Sequence, residues 1–182
     1  MVILPPGTGG FLNPQKIVDE IGVVEQGMKI ADFGCGHGYF TLPLAKKVGD
    51  NGKVFALDVF SKALEAVSSR MKLEGVQNIE TKRCNLEKEG GSGLLDESCD
   101  LVWMANLLFQ TEEDETVVRE AKRVLKKGGR LVFIDWKPGV PLGPQGKRIL
   151  QEEVRRLFEK EGFSFEKEFP TDNYHYGLIF KK

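Results

Sequence analysis

The sequence predicts an α/β fold: a single domain on a doubly wound, seven-stranded, mostly parallel sheet with one antiparallel strand. Three observations predict it. Short apolar runs alternate with stretches of helical period along most of the chain, the pattern of parallel strands covered by helices on both faces. The run Met28 to Phe33 empties into a glycine cluster that opens a helix. The tail holds two strand-like segments, and their short polar link, Pro170-Thr-Asp-Asn, joins only antiparallel neighbours.

Taken in order, Asn13-Pro14 is a cap followed by proline at the first helical position, and Ile17, Val18 and Ile21 share one face. The first strand, Met28 to Phe33, leads to a helix from Phe40, with Pro43 tolerated in its first turn. The second strand runs from Val54 to Leu57 and ends at Asp58; Ser61 is expected to cap the next helix, striped by Leu64, Val67 and Met71 and closed by Gly75. A third strand spans Ile79 to Cys84, a Gly- and acid-rich loop Glu87 to Ser98, and the most apolar strand Asp100 to Ala105. Thr111-Glu-Glu-Asp is read as a cap, opening a helix that Lys126-Lys127-Gly128 ends. The fifth strand is Leu131 to Asp135; a Pro/Gly loop from Pro138 to Gly146 and a helix from Ile149 to Glu161 follow. The terminal strands are Phe163 to Phe169 and Tyr174 to Phe180. The domain is expected to cover 1–182, with an N-terminal segment and helix over 1–22 and the hairpin over 163–182.

Composition narrows the function. A chain of 182 residues suits about one domain and buries enough surface to need no staple. Hydrophobic residues at 41% and charged residues at 29% exclude disorder and a coiled coil. The net charge of −1 weighs against a broad nucleic-acid face, which needs an excess of Lys and Arg. Cys35, Cys84 and Cys99 are odd in number and widely spaced, which reads as a reducing compartment without a zinc site. No stretch reaches the roughly 20 apolar residues of a membrane span, so a soluble, cytoplasmic protein is expected.

The sharpest motif is Asp32-Phe-Gly34-Cys35-Gly36-His-Gly38. Alternate glycines let a backbone approach a ligand, and the carboxyl end of the first strand is where open α/β sheets bind ligands. A dinucleotide fingerprint would space its glycines G-x-G-x-x-G; here Tyr39 stands where that third glycine would. Asp32 precedes the glycines, placed to meet an ammonium, and Asp58 follows Gly38 by 20 residues, placed to meet ribose hydroxyls. A ribose joined to a cationic amino-acid end, without phosphate, describes S-adenosylmethionine.

On these residues the chain resembles the class I S-adenosylmethionine-dependent methyltransferases over nearly its whole length. Asp32 to Gly38 is similar to the family's first motif, Val54-Phe-Ala-Leu-Asp58 to its second, and Arg119 to Val132 to its helix, lysine-glycine turn and fifth strand. Within the family it resembles the quinone and arsenite methyltransferase branch. The resemblance implies a Rossmann-like methyltransferase fold, an enzyme moving a methyl group by in-line displacement to a small-molecule acceptor, S-adenosylhomocysteine as product and no metal. It implies a cofactor site of Asp32, Gly34, Cys35, Gly36, Gly38, Asp58, Val59, Asn85, Leu86 and Asn106.

Two departures stand out. Asn85 occupies a position usually acidic, and Ala105-Asn106-Leu107 lacks the histidines of related chains. Leu107, Phe109 and Trp136 are expected to line the acceptor pocket with the Pro138 to Gly146 loop, and Pro5 to Phe11 to form a lid. If a general base exists, Asp135 and His175 are the candidates, although His175 reads equally as an exposed strand residue. Cys35 reads as a filler, His37 as a variable position, and Lys122, Arg123, Lys126 and Lys127 as a solvated helix end. The alternatives are a non-catalytic or partner-dependent protein of this fold, an enzyme acting on protein or RNA, and a nicotinamide-dependent oxidoreductase.

Overall fold

A computed structural model describes residues 12–182, so the expected lid Pro5 to Phe11 lies outside the described residues. The elements are α1 (Pro14–Glu20), β1 (Lys29–Phe33), α2 (Thr41–Val48), β2 (Lys53–Asp58), α3 (Ser61–Glu74), β3 (Ile79–Arg83), β4 (Cys99–Ala105) and a 3-10 turn (Leu108–Gln110). There follow α4 (Asp114–Val124), β5 (Leu125–Trp136), α5 (Gln151–Lys160), β6 (Ser164–Phe169) and β7 (His175–Lys181). The sheet order is β3-β2-β1-β4-β5-β7-β6. Among the described strands only β7 runs against the rest, pairing antiparallel with β5 on one side and β6 on the other. The predicted architecture is therefore the observed one.

Alternation along the strands divides the interior in two. Ile30, Ala56, Trp103, Val132 and Ile179 face α1, α2 and α3, while Ala31, Val102, Met104, Phe133 and Leu178 face α4 and α5. The central strands are apolar on both faces, as a covered parallel sheet requires. Asn13 caps α1 as expected, its Oδ1 accepting from Lys16 N at 3.0 Å.

Three boundaries differ from the sequence reading, the first through a neighbouring carboxylate and the other two through distant groups. Ser61 is the first residue of α3 and not its cap; Phe60 holds the cap position and its amide donates to Asp58 Oδ1 at 2.9 Å. Thr111 does not cap α4, which starts at Asp114; Glu87 reaches from the acidic loop to accept the amides of Glu112 and Glu113 at 2.7 and 3.0 Å. Nor does α4 last to Lys127: Leu125 is already extended and paired with Cys99 of β4. The basic run is only partly solvated. Arg123 bonds Glu120 Oε1 at 2.7 Å and Asp96 Oδ1 at 2.5 Å, and the buried Glu120 also accepts from Ser92. These bonds tie the acidic loop to α4.

Among the described residues no helix is long and apolar enough to cross a membrane, and no cluster of His, Cys, Asp and Glu is arranged to hold a metal. On the α4–α5 side, α5 docks through Val154 and Phe158, both fully buried. The Phe158 ring stacks on Phe180 of β7 with centroids 4.5 Å apart and meets Phe133 of β5 at 5.5 Å. Replacing Phe158 with Ala removes that contact and leaves a cavity, so urea unfolding should show a loss of about 3–5 kcal/mol with an unchanged denaturant slope.

Candidate cofactor and acceptor site

Adjacent parallel strands β2, β1, β4 and β5 end on one side of the sheet, and the loops leaving them carry nearly every candidate residue. Asp32 lies in β1, 2% exposed, and accepts the Thr41 hydroxyl from the start of α2 at 2.6 Å. Burial pushes its carboxyl up to about 7, with Asp58 acting in the same direction and the Thr41 bond opposing.

The chain then turns through Gly34, Gly36 and Gly38 at φ of +71°, +51° and +80°. A Cβ on Gly38 would lie 2.9 Å from Leu42 Cδ1, so that glycine lets the loop sit on α2. Among the described residues a Cβ on Gly36 would meet nothing within 4 Å, which leaves its carbon free for close approach. The buried Cys35 beneath is a filler, its thiol pushed well above the ordinary range by burial and by Asp32. His37 is exposed.

Asp58, at the tip of β2, holds this loop. Its Oδ2 accepts Gly36 N and its Oδ1 accepts Phe60 N, both at 2.9 Å. Val59 and Phe60 stand exposed beside it, 45% and 68% accessible. Two neighbouring apolar side chains left open next to a polar cradle offer a surface to a planar base. Asn85 is exposed after β3, its Oδ1 already accepting Glu87 N at 2.9 Å, with one lone pair remaining; Leu86 is buried.

Asn106 ends β4 in the left-handed region, at φ +54°. Its amide donates to Ile134 O at 2.8 Å, while its buried Oδ1 has no partner among the described residues. A left-handed asparagine with an unmatched buried acceptor is a candidate ligand contact. Leu107 is buried against Gly34 and supports the glycine loop from below.

The other half of the site lies at the ends of β5 and β7. Asp135 is buried, with oxygens accepting Trp136 N at 2.8 Å and Phe109 N at 3.3 Å; burial pushes its carboxyl up to about 6. The half-buried Trp136 pairs with His175 across the strands, ring centroids 3.9 Å apart. His175 is not the exposed strand residue considered above: it is 2% accessible, with Nδ1 2.8 Å from Asp172 Oδ1. Asp172, Arg148, Thr41 and Phe60 are the site residues the sequence reading missed. The spacing of Asp172 to His175 in a turn was the one available signal; Arg148 reaches Trp136 only through the fold.

Comparison with known proteins places the fold within a family. A family profile described as "Methyltransferase domain" matches residues 31–133. The chain is 35% identical over 138 residues to a demethylmenaquinone methyltransferase of Lactococcus lactis, an alignment taking in 74% of this chain and 52% of the relative. It is 31% identical over 112 residues to a demethylmenaquinone methyltransferase of Geobacillus stearothermophilus, covering 62% of this chain and 47% of that one. The chain thus spans about half the length of the curated relatives it matches. Its fold superposes on a SAM dependent methyltransferase from Aquifex aeolicus with TM-score 0.84 and 28% identity, over 94% of this chain and 90% of the other.

The raised carboxyls have a consequence for stability. Asp32 has a folded value of about 7 against 3.8 unexposed to burial. The stabilisation from keeping it protonated is full below about 4 and is lost as pH rises through 7. Asp135 acts in the same direction through about 6. Without added ligand, the difference between wild type and Asp32→Asn in urea stability should therefore change between pH 4 and 8 by on the order of 1–4 kcal/mol, the wild type losing more.

Proposed function

The chain belongs to the class I S-adenosylmethionine-dependent methyltransferases, and from that premise we propose that it transfers a methyl group to a small-molecule acceptor. The observation that carries this reading is the open Gly36 backbone between two carboxylates, Asp32 and Asp58, with the unmatched Asn106 acceptor beside it. A pyrophosphate would be repelled by that pair; a ligand with a cationic end and a diol suits it.

In this reading Asp32, aligned by Thr41, faces the amino-acid end with Asn106. Asp58 takes the ribose, while Val59, Phe60 and Leu86 with Asn85 take the base. Cys35 and the three glycines shape the floor. When bound, S-adenosylmethionine supplies an electrophilic methyl carbon, so the protein's own work is positioning and exclusion of water. The printed names of the two curated relatives add an acceptor of the quinone type to the proposal. A near-neutral charge makes nucleic acid a poor partner, and three free cysteines fit the cytoplasm. One catalytic domain over 1–182 is part of the same reading.

Calorimetry tests it. S-adenosylmethionine and S-adenosylhomocysteine should bind and NAD should not; NAD binding alone would replace the reading with an oxidoreductase, and no binding with a degenerate member of the fold. Gly36→Val, which places a side chain where the backbone meets open space, should weaken S-adenosylmethionine at least tenfold. An ammonium beside Asp32 favours its charged form, so binding at pH 6 should release a proton, read from two buffers of different ionisation enthalpy. Asp32→Asn should remove that release.

A further inference from the structure

Four side chains at the ends of β5 and β7 form a cluster that cofactor binding leaves unused. Asp172 Oδ1 accepts the amides of Tyr174 and His175, each at 2.8 Å, so the carboxylate is fixed in place. Its two oxygens lie 2.8 and 3.0 Å from His175 Nδ1. An ionised carboxylate only accepts, so Nδ1 carries the hydrogen and Nε2 presents a bare lone pair. That Nε2 is buried and has no partner among the described residues.

The same holds for two donors nearby, Trp136 Nε1 and Arg148 Nη1. Trp136 is packed against His175, and the Arg148 guanidinium lies 4.9 Å from the Trp136 ring. Arg148 Nη2 donates to Leu142 O and Pro144 O at 3.3 and 2.7 Å, which ties this cluster to the Pro138–Gly146 loop. The loop seats closely: a Cβ on Gly143, at φ +102°, would stand 2.7 Å from the Trp136 ring. One bare acceptor and two bare donors, covered by a glycine-bearing loop at the end of β5, the strand beside β4, form a built polar site. Unmatched polar groups are costly to bury, and a polar ligand would satisfy them.

We propose that His175, positioned by Asp172, takes the proton of an ionisable hydroxyl on the methyl acceptor, with Trp136 and Arg148 donating to the oxygen as it becomes anionic. The proposal rests on the methyltransferase reading and requires the Pro138–Gly146 loop to open for entry. The acceptor's O–H bond breaks and its proton passes to His175 Nε2. The electron pair left on the acceptor forms the new bond to the methyl carbon, and the S–CH3 pair stays on sulfur, which becomes a neutral thioether. If the methyl lands on a ring carbon, that carbon's hydrogen leaves as a proton and the hydroxyl is restored. Either way one proton is released in total.

Asp135 is the weaker candidate, because both its oxygens already accept backbone amides. Burial holds the His175 imidazole below its ordinary range; Asp172 opposes this, while the nearby Arg148 and Lys137 reinforce it. A neutral imidazole at neutral pH is the form a proton acceptor needs.

The chain has two histidines, His37 and His175, so nitrogen spectra of the imidazoles are assignable with a single His37→Asn variant. Long-range proton–nitrogen spectra of the full chain should place the hydrogen of His175 on Nδ1, and Asp172→Asn should mix the tautomers. Adding 1-naphthol, but not naphthalene, should shift the Nε2 resonance. With S-adenosylmethionine and 1,4-naphthohydroquinone, His175→Gln should lower kcat at least 100-fold and abolish the acidic limb of the pH profile. Asp172→Asn should move that limb to lower pH, while calorimetry finds S-adenosylmethionine affinity within about twofold of wild type for both variants. A hydrogen on Nε2, an Nε2 resonance indifferent to 1-naphthol, or a His175→Gln enzyme with wild-type kcat and pH profile overturns the proposal. Wild-type protein that fails to bind S-adenosylmethionine overturns the underlying reading instead, and calorimetry separates the two.

Discussion

The carboxylate of Asp58 bonds the amides of Gly36 and Phe60 at once, and the cofactor half of the site depends on that pair of contacts. One bond ties the glycine loop after β1 to the tip of β2; the other starts α3. The parallel register that brings Asp32 opposite Ala56 places Asp58 beyond the end of β1, level with the glycine loop. Charge-assisted bonds to backbone amides are strong and directional, so the loop is held in its left-handed turns before any ligand arrives. Binding then need not first order the loop, and that preorganisation is where affinity comes from.

Most of this half was legible in the chain, because its signals are local. Glycines at 34, 36 and 38 and carboxylates at 32 and 58 carry their conformational and chemical meaning in their own neighbourhoods. Every strand was found to within a few residues, except β5, for the same reason: period and glycine placement are local properties. What the sequence did not disclose is set by contacts between distant segments. Glu87 replaces Thr111 at the start of α4, and Leu125 leaves the helix early because Cys99 is there to pair with it. Arg148 lies over Trp136 although nothing in its neighbours marks it. His175 looked as much like a surface residue as a pocket residue; Asp172 and the covering ring of Trp136 decide between them.

The two halves differ in physical character. Asp32 and Asp58 are matched to a hydroxyl and to backbone amides, and among the described residues Asn106 Oδ1 is the one unmatched atom beside them, so this cradle is rigid. Around His175 three polar atoms stay unmatched, although the strand register holds Trp136 opposite His175 and Arg148 is tied to the Pro138–Gly146 loop. On the proposed reading the cofactor lies over the ends of β1 and β2 and the acceptor over those of β5 and β7.

The placement of β7 constrains the order of events during synthesis. β6 precedes β7 in the chain, yet β7 lies between β5 and β6, and among the described residues β6 has no strand neighbour except β7. As the chain leaves the ribosome, β6 therefore emerges with no edge to join, and the flank of β5 stays open until β7 arrives to close both. Until then the nascent chain carries its glycine loop and both carboxylates but not His175. The strand that completes the sheet also carries the proposed proton acceptor.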